Sequence, residues 1–194
     1  MRKLLIPALV LLAPLGACST PYTSPVAVDR FVAADRAPLT ANDSIVVEAG
    51  DLNVPPAFVS AVAREIEAQG YAITARSGRY LTAVVDVEIV PIAAGYRRSP
   101  VDVGVGGSTG SYGSGIGAGV GINLGGSEAP SKATRMQVTI RNSLGASVWE
   151  GRAEVLTGDN SDLADSDVAA QALAAALFQN FPGENGERYE VDAD

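Results

Sequence analysis

Histidine does not occur in this 194-residue chain, cysteine and tryptophan occur once each, and lysine is confined to Lys3 and Lys132. Without histidine or a second thiol there is no Cys/His zinc site, no Ser-His or Cys-His nucleophile pair and no internal disulfide. The balance of 22 acidic against 14 basic side chains argues against nucleic acid as a partner, because phosphate neutralisation needs clustered Lys and Arg. Aromatics make up only 6% of the residues while hydrophobics reach 47%. The core is therefore expected to consist mainly of Val, Ala, Leu and Ile, and disorder throughout is excluded. The longest apolar stretch, Leu4 to Leu15, is interrupted by Pro7 and Pro14 and falls well short of the ~20 residues of a spanning helix. The length is that of one domain.

That stretch follows Met1-Arg2-Lys3 and precedes Leu15-Gly16-Ala17-Cys18. A positive n-region, a short apolar h-region and small residues just before the single cysteine read as a signal peptide over residues 1–17 ending in a lipobox. Such a match implies diacylglycerol on the Cys18 sulfur, cleavage before it and acylation of the new amine. An ordinary secretory signal cut after Ala17 is the simpler alternative. Removal of residues 1–17 takes Arg2 and Lys3 with it, leaving 12 basic against 22 acidic side chains, an acidic mature domain. Each buried methylene contributes about 0.8 kcal/mol, so several acyl chains hold a protein where a single myristoyl chain would not. The residue after Cys18 is Ser19, not the aspartate that retains lipoproteins in the inner membrane of enteric bacteria. The expected location is the outer membrane, facing the periplasm.

Residues 18–43 are rich in Pro, Ser, Thr and Ala and read as a lipid-anchored tether, whose segment Val26-Ala27-Val28-Asp29-Arg30-Phe31 is apolar enough to dock. The folded domain is expected over 44–183. Ser44 to Glu48 is a β-branched strand, and Phe58, Val59, Val62, Ala63 and Ile66 recur at helical spacing behind Pro55-Pro56 until Gly70 closes the helix. Leu81, Ala83, Val85, Val87 and Ile89 share one face of a long strand, with Asp86 and Glu88 on the other. Met136, Val138 and Ile140 alternate in a further strand, Asn142 to Gly145 turns, and Trp149, Gly151, Ala153 and Val155 return it. Asp162, Asp165 and Asp167 stand near the start of a second helix striped by Val168, Ala169, Leu173, Leu177 and Phe181. Residues 184–194 form an acidic tail or a short edge strand. The order β-α-β-β, then β-β-α, gives an α+β domain with a mostly antiparallel sheet and both helices on one face.

The lipobox, Val28-Asp29-Arg30-Phe31, Gln69-Gly70-Tyr71, a Gly-rich centre, Val148-Trp149-Glu150-Gly151-Arg152-Ala153 and Leu177 to Glu187 together resemble the bacterial lipoproteins grouped as domain of unknown function 4136. The resemblance runs over nearly the whole mature chain. It implies the fold and the envelope location and brings no activity or catalytic residues with it.

Residues 101–126 carry eleven glycines, at 104, 106, 107, 110, 113, 115, 117, 119, 121, 125 and 126. No phosphate-loop lysine follows, so a nucleotide site is disfavoured. A loop or irregular hairpin, a strand extension offering close backbone contact, and membrane contact all remain open readings. Asp159-Asn160-Ser161-Asp162 lacks the glycine and distal glutamate of a calcium loop and reads as helix capping. Asp86 and Glu88, two apart on a strand, could serve two-carboxylate glycosidase chemistry, although acids on a solvated strand face are routine. Ser131-Lys132 is adjacent and reads as surface. No catalytic, cofactor-binding or metal-binding residue is assigned, and Cys18 alone is marked, for lipidation.

The reading is a non-enzymatic outer-membrane-anchored lipoprotein that meets an unknown envelope protein; a carboxylate enzyme on envelope glycan and a small-ligand or lipid carrier are the alternatives. Metabolic labelling with a clickable fatty acid is expected to mark the wild-type protein and not Cys18→Ser. Equal labelling of the two would remove the anchor.

Overall fold

The structure is a computed structural model that describes residues 20–33, 43–74, 80–92 and 129–193, together with the backbone of 101–110 and 113–122. Cys18 and the turn expected at 77–79 lie outside the described residues. A mixed seven-stranded sheet carries both helices on one face, an α+β fold.

The first strand, β1 (Val26–Val32), lies inside the segment expected to be a tether. It pairs antiparallel with β8 (Ser147–Thr157) on one side and β9 (Arg188–Val191) on the other. Its alternation explains the difference: Val26 and Val28 are 1% and 0% exposed while Ala27 and Phe31 face solvent. A period-two pattern with valines on one side can be satisfied only against a core. The edge strand expected near the C-terminus is β9.

On the other side, β2 (Ser44–Ala49) runs parallel to both β3 (Ala72–Ile73) and β4 (Leu81–Pro91). The parallel pairing is made by a crossover through α1 (Pro56–Ala68), as a parallel pair requires. Pro56 occupies the first helical position behind Pro55, and no side chain caps this helix. Gly70, at φ +91°, donates to the Glu67 carbonyl and ends it. Phe58, Ala61, Val62 and Ile66 form the buried stripe, with Ala61 in place of the expected Val59 and Ala63. Strand β4 pairs antiparallel with β7 (Lys132–Arg141), and β7 with β8, so the sheet order is β3-β2-β4-β7-β8-β1-β9.

The glycine-rich insertion between β4 and β7 forms a separate two-stranded antiparallel sheet, β5 (Val101–Gly110) with β6 (Gly113–Ile122). Of the readings left open for this segment, the backbone adopts the hairpin.

A 3-10 turn at Asp162–Ala164, capped by Ser161, leads into α2 (Ser166–Phe178). The Asp165 carboxylate accepts the Asp167 and Val168 amides at 2.8 and 3.2 Å, which is the capping role expected of these acids. Val168 is 40% exposed; Ala170 and Phe178 carry the buried stripe beside Leu173 and Leu177.

Trp149 is fully buried, stacks on Phe178 at 5.5 Å and meets Phe181 edge-on at 5.1 Å. Its ring lies over Gly151. A Cβ there would stand 2.4 Å from the indole and 2.7 Å from Leu177 Cδ1. Glycine is what lets helix α2 and the indole close on the sheet. Trp149→Ala is expected to cost about 3–5 kcal/mol and Gly151→Ala about 1–3 kcal/mol by overpacking. Urea unfolding measures both, and a Gly151→Ala midpoint equal to wild type would contradict the packing.

Candidate functional site

Two clusters concentrate the polar chemistry. The first is on the sheet face away from the helices, where Asp29, Asp86, Glu88, Arg135, Arg152 and Glu154 border a shallow cavity of about 540 Å³. The register puts these residues on one face: Glu88 opposes Arg135, which opposes Glu154. Arg135 holds both carboxylates, at 3.1 Å to Glu88 and 2.5 Å to Glu154. This double engagement raises the Arg135 pKa, chiefly through the hydrogen bond to Glu154 and then that to Glu88. Arg152 binds Glu150 at 2.6 Å and Gln137 at 3.1 Å, while Arg188 pairs with Asp29. Such solvent-exposed pairs, across strands at Arg135 and Arg188 and along β8 at Arg152, contribute little each to stability, but they commit most of the acids on this face. Asp86 lies directly against Gly50, whose added Cβ would stand 1.9 Å from the Asp86 carboxylate. The two carboxylates weighed for glycosidase chemistry thus share a face, and Glu88 is engaged by arginine.

The second cluster surrounds Arg30, which is 0% exposed although it sits in a strand of valines. Its Nε and Nη2 donate to the Leu177 carbonyl at 3.0 and 2.7 Å, and Nη2 also reaches the Gln179 carbonyl at 2.5 Å. These are carbonyls at the C-terminus of α2, where a helix has orphan acceptors and a negative dipole end. Nη1 pairs with Glu187 at 3.3 Å, and the guanidinium lies 4.7 Å from the centre of the Tyr189 ring while donating to its hydroxyl. The Tyr189 hydroxyl passes a hydrogen bond on to the Ala176 carbonyl at 2.8 Å. Burial raises the Tyr189 pKa, against the lowering influence of Arg30. Burial likewise raises that of Tyr71, with Asp43 adding to it.

The loop 179–187 closes over this arginine. The Trp149 indole donates to the Pro182 carbonyl at 2.8 Å, next to a cis Phe181–Pro182 peptide. Tyr71 meets Phe181 edge-on at 5.6 Å. Gly186 donates to the Arg30 carbonyl, and the Arg30 amide to that of Glu187, both at 2.9 Å. Gly183, at φ +74°, leaves room for Arg30 and Glu187, which a Cβ would meet at 2.6 and 2.4 Å. The segments Val28–Phe31, Gln69–Tyr71, Val148–Ala153 and Leu177–Glu187, scattered along the chain, all contribute to this one corner. Sequence reading quoted Arg30 without giving it a role; the available signal was an arginine at an inward position between Val28 and Val32.

Of the remaining candidates, Ser131 hydrogen-bonds Asp159 at 2.6 Å and Lys132 donates to the Ala164 carbonyl, so both tie the 3-10 turn to the sheet. Among the described residues no group of acids, Cys or His is arranged to hold a metal ion, and no helix is long and apolar enough to cross a membrane.

No family model matches the chain. A stretch of 44 residues is 43% identical to an uncharacterised protein of Zymomonas mobilis, covering 23% of this chain and 17% of that protein. The chain therefore spans far less than two thirds of this relative. A PDZ domain protein from Parabacteroides distasonis superposes over 87% of this chain and 38% of its own, with a TM-score of 0.55 and 12% identity. The likeness is one of fold. The PelC dodecamer of Paraburkholderia phytofirmans aligns over 80% of this chain and 93% of its own at a TM-score of 0.41 and 15% identity.

Replacing Arg30 by Leu removes the donor to the Leu177 and Gln179 carbonyls and the cation paired with Glu187, and is expected to cost about 3–5 kcal/mol. Glu187→Gln, which keeps the arginine on the helix carbonyls, should cost clearly less. Equal losses in chemical unfolding would show that the ion pair, not the helix end, is what Arg30 serves.

Proposed function

We propose that the protein is an outer-membrane-anchored periplasmic lipoprotein whose α+β domain is a non-enzymatic interaction or assembly module. What carries this reading is the lipobox at Leu15 to Cys18 together with the short stretch of sequence between Cys18 and the first bridged residue of the fold. Thr23 already bridges to Thr157 of β8, and Gly158 donates to the Tyr22 carbonyl at 2.8 Å. Five residues reach at most about 17 Å, so a lipid on Cys18 would hold the domain against the membrane surface rather than on a long tether. The resemblance to domain of unknown function 4136 lipoproteins supports the same location.

The glycan-enzyme alternative needs Asp86 and Glu88 as an acid and base pair. The engagement of Glu88 by Arg135 and the open, solvated cavity favour a structural face instead. The carrier alternative needs space between helices and sheet, where Trp149, Phe178, Phe58 and Leu173 are fully buried and packed. In a strain lacking the chain, the Asp86→Asn, Glu88→Gln double variant is expected to give the same crosslinks to envelope proteins as wild type, and Cys18→Ala is expected not to. The opposite pattern would favour the enzyme.

A further inference from the structure

The β5–β6 hairpin has a register that sorts its residues completely. Val101 opposes Ile122, Val103 opposes Val120, Val105 opposes Ala118 and Gly107 opposes Ile116. All the branched residues of both strands therefore share one face of the ribbon. The other face pairs Asp102 with Gly121, Gly104 with Gly119, Gly106 with Gly117 and Ser108 with Gly115. The sequence alone shows alternation in each strand; only the register puts the two apolar sets on the same side.

Three further observations bear on what this ribbon meets. First, no charged residue lies between Asp102 and Glu128, and each strand has 10 residues, within the ~9–11 residues of a tilted strand that crosses a bilayer. Second, the hairpin pairs with no other strand among the described residues. A lone two-stranded ribbon is marginal in water, and glycine adds to the entropy lost on ordering it. Third, the hairpin and the N-terminus leave the sheet at the same end. Thr23, Thr157, Lys132 and Pro91 form one row across adjacent strands, about 15 Å wide at the ordinary strand spacing. Pro91 and Lys132 are the residues from which the hairpin departs. Equal numbers of residues, 92–100 and 123–131, separate the two ladders on each strand.

We propose that β5–β6 is a membrane-spanning hairpin that closes edge to edge with the same hairpin of other copies into a β-barrel. This rests on the lipid-anchored reading, which places this end of the sheet at the bilayer. Val, Ala and Ile occupy the lipid side of the wall and the glycine face lines the lumen, the alternation a barrel wall requires. Closure with sister copies is demanded by the backbone: two free strand edges cannot be left unpaired in hydrocarbon. The chain is then a protomer of a pore, with the α+β domain as its periplasmic vestibule.

The test uses full-length lipidated protein, in which a modified Cys18 leaves a single introduced cysteine as the free thiol, reconstituted in phosphatidylethanolamine/phosphatidylglycerol vesicles. An environment-sensitive fluorophore at 103, 105, 118 or 120 is expected to brighten severalfold and shift to the blue, and at 104, 106, 117 or 119 to stay wet. Val120→Arg should abolish the signal at 103, since an arginine facing lipid disfavours insertion by roughly 30-fold or more, without changing the melting of the main domain. Gly119→Ser should leave the signal in place. Protein that floats with the vesicles while every position stays wet overturns the hairpin proposal and leaves the anchor standing. Wild-type protein that carries no lipid and does not float overturns both.

Discussion

A single buried guanidinium organises the corner on which the two halves of this domain meet. Arg30 comes from the first strand, yet it occupies the C-terminal carbonyls of the last helix, the place where a helix most needs donors and positive charge. Taking an arginine wholly out of water is costly unless nearly every donor is used. Here the cost is met by three helix-end hydrogen bonds, an ion pair with Glu187 and the face of Tyr189. Because those partners are spread from 177 to 189, the arginine can be satisfied only when α2, the 179–187 loop and β9 are all in place. Cooperativity between sequence-distant elements is built into one side chain.

The aromatic cluster beside it follows from the same geometry. Trp149, Phe178, Phe181 and Tyr71 contact one another around the loop that Arg30 fixes. With so few aromatics in the chain, gathering four of them at this corner gives a Val- and Ala-rich core its largest rigid contacts. Gly151 and Gly183 are the two positions where the absence of a side chain lets these groups close.

The two faces of the sheet divide the labour. The inner face is apolar and covered by helices. The outer face is a lattice of ion pairs, across strands at Arg135 and along β8 at Arg152, exposed and of modest energetic weight. The proposed membrane contacts therefore lie at the ends of the strands rather than on the charged face. The row from Thr23 to Pro91 is where the polypeptide after Cys18 enters the fold and where the glycine hairpin leaves it.

The sequence by itself determined the fold class, both helices, the long central strands, the turn at Asn142 to Gly145 and the inward direction of Trp149, because each rests on local periodicity or on a residue with one conformational use. The pattern around Cys18 that reads as a signal and lipobox is likewise local. Tertiary structure alone decided that Val26–Val32 is a core strand and not a tether. A short apolar alternation becomes a strand only when β8 and β9 stand ready to pair with it. It also decided the role of Arg30, whose partners are some 150 positions away, and the collection of both apolar stripes of β5–β6 on one face. Alternation within a strand is a local property. Which faces coincide depends on register, and register exists only between strands.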